Sequence, residues 1–167
     1  MLRDLFHLPE PEIARMMAEA IDDKTDEVAA GAPIVEVPGA TAFVAATRAA
    51  GIRTALVSSA SAANVRLALA ALGLEDAFEV AVDAGQVTTG KPAPEPYLLA
   101  ARMLGIPAAE MIVFEDSVAG IAAAQAAGAL CVAIASWEPT QRLASADLVI
   151  RTWADWSPAD IVATLAD

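Results

Sequence analysis

A glycine recurs in this chain wherever a helical stretch gives way to a short apolar run. From residue 39 onward the pattern appears as Ala49-Ala50-Gly51-Ile52, Ala71-Leu72-Gly73-Leu74, Met103-Leu104-Gly105-Ile106 and Ala126-Ala127-Gly128-Ala129. Glycine just past a helix adopts the left-handed conformation without a Cβ penalty, so each instance reads as a helix C-cap. The spacing between instances is uneven and the units differ, which excludes a solenoid of sequence repeats. The apolar runs that follow or intervene, at 54–57, 80–82, 111–114, 130–135 and 148–150, are short and lack strict alternation. Such runs suit strands buried on both faces of a parallel sheet. Strands alternating with helices at this spacing predict an α/β, doubly wound parallel sheet, with right-handed crossovers placing helices on both faces.

Residues 1–36 read differently. The segment 11–30 predicts one amphipathic helix, with Ile13, Met16, Met17, Ala20, Ile21 and Val28 on one side and Pro11 in its first turn. Residues 31–39, with Pro33 and Pro38, read as a linker into the core. The expected organisation is therefore a segment 1–36, which composition reads as a packing helix rather than part of a helical cap, ahead of an α/β core at 37–167.

Bulk properties exclude several classes. The chain is 57% hydrophobic and 19% charged, enough apolar matter to build a core. Its formal net charge of −12 argues against nucleic acid or an anionic membrane surface as partner. A phosphate-bearing metabolite stays open, since one lysine, backbone amides and a metal ion can hold a phosphate inside an acidic protein. The span 118–137 carries no charge, yet Gln125 lies within it and Gly128 divides it into a helix-like and a strand-like half. It reads as a buried helix–turn–strand unit rather than a membrane span. The single cysteine, Cys131, sits in an apolar run and reads as a buried structural thiol. The only histidine, His7, has no triad partner in the pattern. With no disulfide framework and no secretory signal, the expectation is a cytoplasmic protein.

Ligands of an open parallel sheet bind beyond the carboxyl ends of its strands, so the residues following each apolar run matter most. After Val57 come Ser58 and Ser59. After Phe114 come Glu115, Asp116 and Ser117. Between two strands lies the loop Thr89-Gly90-Lys91-Pro92-Ala93-Pro94. Ser58 offers a hydroxyl, and the amides beyond it point from a helix N-terminus toward an anion. Lys91, held between glycine and prolines, can neutralise phosphate charge. Glu115 and Asp116 are adjacent hard oxygen donors suited to Mg²⁺. Ser117 either caps the next helix or steadies a metal-bound water.

The strings Leu56-Val57-Ser58-Ser59, Gly90-Lys91-Pro92-Ala93-Pro94-Glu95-Pro96-Tyr97 and Phe114-Glu115-Asp116-Ser117-Val118-Ala119-Gly120-Ile121 resemble the second, third and fourth motifs of the haloacid dehalogenase superfamily. They look most like the branch of β-phosphoglucomutase and the phosphoglycolate-type phosphatases. The similarity runs from about residue 38 to the C-terminus. It implies a Mg²⁺-dependent hydrolase or phosphomutase acting on a small phosphorylated metabolite. Ser58, Ser59 and Lys91 would bind phosphate, with Ser58 and Lys91 taking part in catalysis, and Asp116 and Glu115 would hold the metal. It also makes residues 1–36 the tail of a helical cap with its linker, in which Lys24 would face substrate.

The same resemblance implies an Asp-x-Asp at the end of the first strand, whose first aspartate attacks phosphorus while the second serves as general acid and base. No Asp-x-Asp occurs in the sequence, and Asp22-Asp23-Lys24-Thr25-Asp26 is expected not to substitute for it, since it lies within the helical pattern of 11–30 and follows no expected buried strand. By comparison with the family, the expectation is a chain about 45 to 60 residues short at its N-terminus and lacking its first, central strand. Unpaired strand edges left in this way would each cost about 1–3 kcal/mol per buried group, and pairing with another copy, a homo-oligomer, would be one repair. Two further readings stand beside the hydrolase. One is a non-catalytic phosphate- or metal-binding remnant or partner-binding subunit, motivated by the missing nucleophile. The other is dehalogenation or phosphonate cleavage on the same fold, which retention of the acids together with Lys91 disfavours.

Overall fold

A computed structural model describes residues 34–166 together with the backbone of 14–17. Its strands are β1 (Ala14–Met17), β2 (Arg53–Val57), β3 (Val80–Val82), β4 (Ile112–Glu115), β5 (Leu130–Ile134) and β6 (Leu148–Ile150). The helices are α1 (Ala40–Ala49), α2 (Ala62–Leu72), α3 (Glu95–Leu104), α4 (Val118–Ala127) and α5 (Pro158–Ala166). All six strands are parallel and lie in the order β3-β2-β1-β4-β5-β6. The strand order reverses at β1, and the crevice outside the carboxyl ends at that point is where doubly wound sheets bind ligands.

The expected α/β parallel sheet is what the chain forms, with strands at or within a residue of the apolar runs. The helix ends also follow the glycines. Gly73, Gly105 and Gly128 take left-handed φ values of 68°, 70° and 84° as C-caps of α2, α3 and α4.

One expectation is corrected. The helix read over 11–30 gives way, at Ala14–Met17, to a strand at the centre of the sheet. Met16 pairs with Ala55 on one side and Val113 on the other. The position expected to be empty for want of a first strand is thus filled by this segment. The physical reason is the demand of the neighbours. β2 and β4 both present a full row of donors and acceptors to the middle of the sheet, and leaving those unpaired costs more than a short segment's weak helix preference returns. The rest of 11–30, including Lys24, lies outside the described residues, as does His7.

Two apolar layers flank the sheet. One joins Ala55, Val57, Val113, Cys131 and Ala133 to Tyr97, Leu104 and Ile121 of α3 and α4. The other joins Ile112, Phe114, Val132 and Ile134 to Phe43, Val44, Ile161 and Leu165 of α1 and α5. Alternate residues of one strand face opposite layers, which is why these strands read as continuous apolar runs. Phe43, Phe114 and Trp153 form an aromatic triangle with ring centroids 4.9–5.2 Å apart. The span 118–137 resolves into α4 and β5, and no helix among the described residues is long and apolar enough to cross a membrane.

Candidate active site

Three β–α junctions deliver polar groups to the carboxyl-end rim. At the first, Ser58 follows β2 and is 5% exposed. Its amide donates to the Val82 carbonyl at 2.9 Å, which ties it to the end of β3. Its hydroxyl oxygen accepts from the Ala60 amide at 3.1 Å, leaving the hydroxyl proton to donate. Ser59 is exposed beside it. Ser61 then caps α2 by accepting from the Asn64 amide, which aims the positive end of that helix at the rim.

The second junction is the loop from β3 to α3. Its entry is fastened by Glu95, whose carboxylate accepts the amides of Thr88 at 2.7 Å and Thr89 at 2.8 Å. These bonds hold the Glu95 pKa below the usual carboxylate range. Within the loop the Ala93 amide donates to the Gly90 carbonyl at 3.0 Å, and the Lys91–Pro92 peptide is cis. The Lys91 side chain is only 7% exposed. Its ammonium donates to the Val57 carbonyl at 3.5 Å and to Glu115 Oε1. Two of its three donors are thereby engaged with the ends of β2 and β4.

The third junction is the end of β4. Glu115 is fully buried. Its Oε1 accepts from Lys91 Nζ and from the Tyr97 hydroxyl. Its Oε2 accepts from the Asp116 amide at 3.2 Å and the Ser117 hydroxyl at 3.1 Å. An ionised carboxylate has about four acceptor sites, and four donors of the protein occupy them here. This departs from the expectation that Glu115 and Asp116 would share a metal. Glu115 is committed to the lysine and its surroundings, and Asp116 stands half-buried at the rim beside it. Ser117 accepts the Gly120 amide at 3.0 Å while donating to Glu115, so it both caps α4 and braces the carboxylate.

Two contributors escaped the sequence reading. Tyr97, fully buried in the first turn of α3, lies within the Lys91 loop string but carries no motif of its own. Burial, then the charge of Glu115, raises its pKa well above the usual phenol value, which keeps it a donor. Gly120 is the second. A Cβ placed there would stand 1.9–2.2 Å from the Glu115 carboxylate atoms, so glycine is what makes room for that group. Its proximity to Glu115 could not be read from spacing within one helix.

Cys131 is buried, as expected, and burial raises its thiol pKa strongly, which removes it as a nucleophile at neutral pH. Among the described residues no three His, Cys, Asp or Glu side chains cluster as a ready-made metal cage. Mg²⁺ takes one or two carboxylates and keeps several waters, so among the described residues Asp116 at the rim suits that ion as one ligand.

Comparison with known proteins agrees with this geometry. The model of haloacid dehalogenase-like hydrolases matches residues 4–128. The chain is 40% identical over 119 residues to hexitol phosphatase A of Escherichia coli (strain K12), covering 71% of this chain and 55% of that protein. It is 31% identical over 145 residues to validoxylamine A 7'-phosphate phosphatase of Streptomyces hygroscopicus subsp. limoneus, covering 83% and 68%. Among solved structures, CbbY of Rhodobacter sphaeroides in complex with xylulose-(1,5)bisphosphate superposes with a TM-score of 0.74 at 30% identity, covering 82% of this chain and 64% of that one. β-Phosphoglucomutase of Clostridium difficile superposes with a TM-score of 0.74 at 25% identity, covering 84% and 61%. The chain thus spans about half the length of the first curated relatives it matches, 55% and 44%.

Proposed function

The chain belongs to the haloacid dehalogenase-like hydrolases, and we propose that its carboxyl-end rim binds the phosphate of a small phosphorylated metabolite together with Mg²⁺. In this reading Ser58, Ser59 and the amides opening α2 accept the phosphate oxygens. Lys91 neutralises the charge that builds on them during transfer, with Glu115 holding the ammonium in place. Asp116 would hold the metal beside the substrate phosphate. When bound, the ion supplies Lewis-acid polarisation of the phosphoryl group. Two of the relatives are named as phosphatases, of hexitol and of validoxylamine A 7'-phosphate, and CbbY is seen in complex with xylulose-(1,5)bisphosphate, which supports a small phosphorylated metabolite as substrate. The observation that carries the proposal is the convergence of Lys91 on Val57 and Glu115, which joins the ends of β2 and β4 through one buried ammonium.

The aspartyl nucleophile of the family is not in the sequence, so the proposal for these 167 residues is ligand binding without turnover. A hydrolase whose first motif lies elsewhere in the reading frame and a non-catalytic phosphate-binding member share this site. Calorimetry with inorganic phosphate in the presence of Mg²⁺ tests the binding. Lys91→Ala is expected to weaken phosphate by about tenfold or more, the scale of one charge-assisted hydrogen bond. Asp116→Ala is expected to abolish the Mg²⁺ dependence of binding. Equal phosphate affinity in the parent and in Lys91→Ala would refute the site. Robust Mg²⁺-dependent turnover of a phosphate-ester panel by this chain would refute both the absence of turnover proposed for these 167 residues and the non-catalytic alternative.

A further inference from the structure

Tyr97 touches both members of the buried ion pair. Its hydroxyl donates to Glu115 Oε1, the same oxygen that receives Lys91 Nζ. Its ring lies beneath the ammonium, with Nζ 5.3 Å from the centroid, inside the range of a cation–π contact. It is fully buried and belongs to the first turn of α3, the helix that the Lys91 loop enters. A simple core role would need neither contact, since a phenylalanine would fill the same space.

We propose that Tyr97 is a positioning residue for Lys91, aiming the ammonium at the phosphate-binding rim. Two physical effects do this. The hydroxyl takes a share of the Glu115 Oε1 charge, so the carboxylate does not hold the lysine alone and the ammonium keeps charge to offer a ligand. The ring closes one side of Nζ, which restricts the direction of its remaining donor. With the hydroxyl removed, Lys91 is drawn onto Glu115. With the ring also removed, Lys91 loses its wall and its aim. The proposal rests on the phosphate-site reading above.

The sequence makes the test clean, because Tyr97 is the only tyrosine and Lys24 is the only lysine besides Lys91. Protein labelled with ¹⁵N-lysine shows a Lys91 ammonium resonance, identified by its disappearance in Lys91→Arg. Tyr97→Phe and Tyr97→Leu are compared with the parent by this resonance at one fixed pH, and by calorimetry with inorganic phosphate and Mg²⁺. Circular dichroism confirms that each variant is folded.

The expected result for Tyr97→Phe is a moved Lys91 resonance and phosphate affinity lower by about five- to tenfold, the scale of one ordinary hydrogen bond. Tyr97→Leu is expected to fall further, toward the level of Lys91→Ala. If the parent binds phosphate through Lys91 but both tyrosine variants match it in affinity and in the lysine resonance, Tyr97 is core packing only and the inference fails alone. If the parent does not bind phosphate, or Lys91→Ala binds as well as the parent, the site reading fails and the inference with it. If Tyr97→Phe matches the parent while Tyr97→Leu does not, the hydroxyl's part of the inference is overturned.

Discussion

At Gly120 the space for a single hydrogen decides whether Glu115 can occupy its place. The Glu115 carboxylate is pinned by Lys91, Tyr97, Ser117 and the Asp116 amide, so it has no easy way to yield to a methyl group 1.9–2.2 Å away. Gly120→Ala is therefore expected to destabilise the protein by about 1–3 kcal/mol, the usual cost of overpacking a filled core. It is also expected to weaken phosphate binding, because displacing Glu115 releases Lys91. Urea denaturation and calorimetry on the same variant check the two effects. Unchanged stability would mean that Glu115 has room to move. Ser58 and Asp116 were legible as polar residues just past strands, and Lys91 as the lysine of the stiff loop ahead of α3. The filled shell of Glu115 was not, since its donors come from three separate stretches of chain and a sequence does not show which way each points.

Among the elements, the loop between β3 and α3 carries the lysine, and Glu95 is its fastening. The Glu95 carboxylate receives two loop amides, and those bonds, Thr88 first, lower its pKa from the usual value. A carboxyl whose folded pKa is depressed contributes stability that is present above its unfolded pKa, near about 4.3, and lost as pH falls through its folded pKa. Thermal unfolding followed from pH 6 down to pH 3 is therefore expected to show a smaller loss for Glu95→Gln than for the parent. At pH 6 the variant is expected to melt lower, and the gap to close on acidification. Parallel curves for the two proteins would show that the carboxylate is not the fastening. This element was half legible. The Gly-Lys-Pro-x-Pro string marked a stiff loop, and the glycines marked the helix ends of α2, α3 and α4, because those signals are local in the backbone. The strand at Ala14–Met17 was misread as helix, because its apolar residues also fit a helical period and only its neighbours demand an extended backbone.

For the whole molecule, β1 joins the two halves of the sheet, with β2 and β3 on one side and β4, β5 and β6 on the other. Met16 is paired along both edges of its strand, so Met16→Pro is expected to cost about 1–3 kcal/mol by leaving a buried ladder acceptor without its donor in a central strand. Unpaired edges on β2 and β4 would then be open to other copies, and light scattering is expected to report association. A monomeric variant of parent stability would place the strand pairing elsewhere. The sequence by itself determined the α/β class, five of the six strands among the described residues, the glycine-capped helix ends and three of the family's motifs, since each depends on local backbone preference or on neighbours in the chain. Only the tertiary structure decided which segment fills the centre of the sheet and how Lys91 and Tyr97 converge on the Glu115 carboxylate. Those outcomes depend on pairing and burial among residues far apart in sequence, where the cost of an unsatisfied polar group outweighs any local preference.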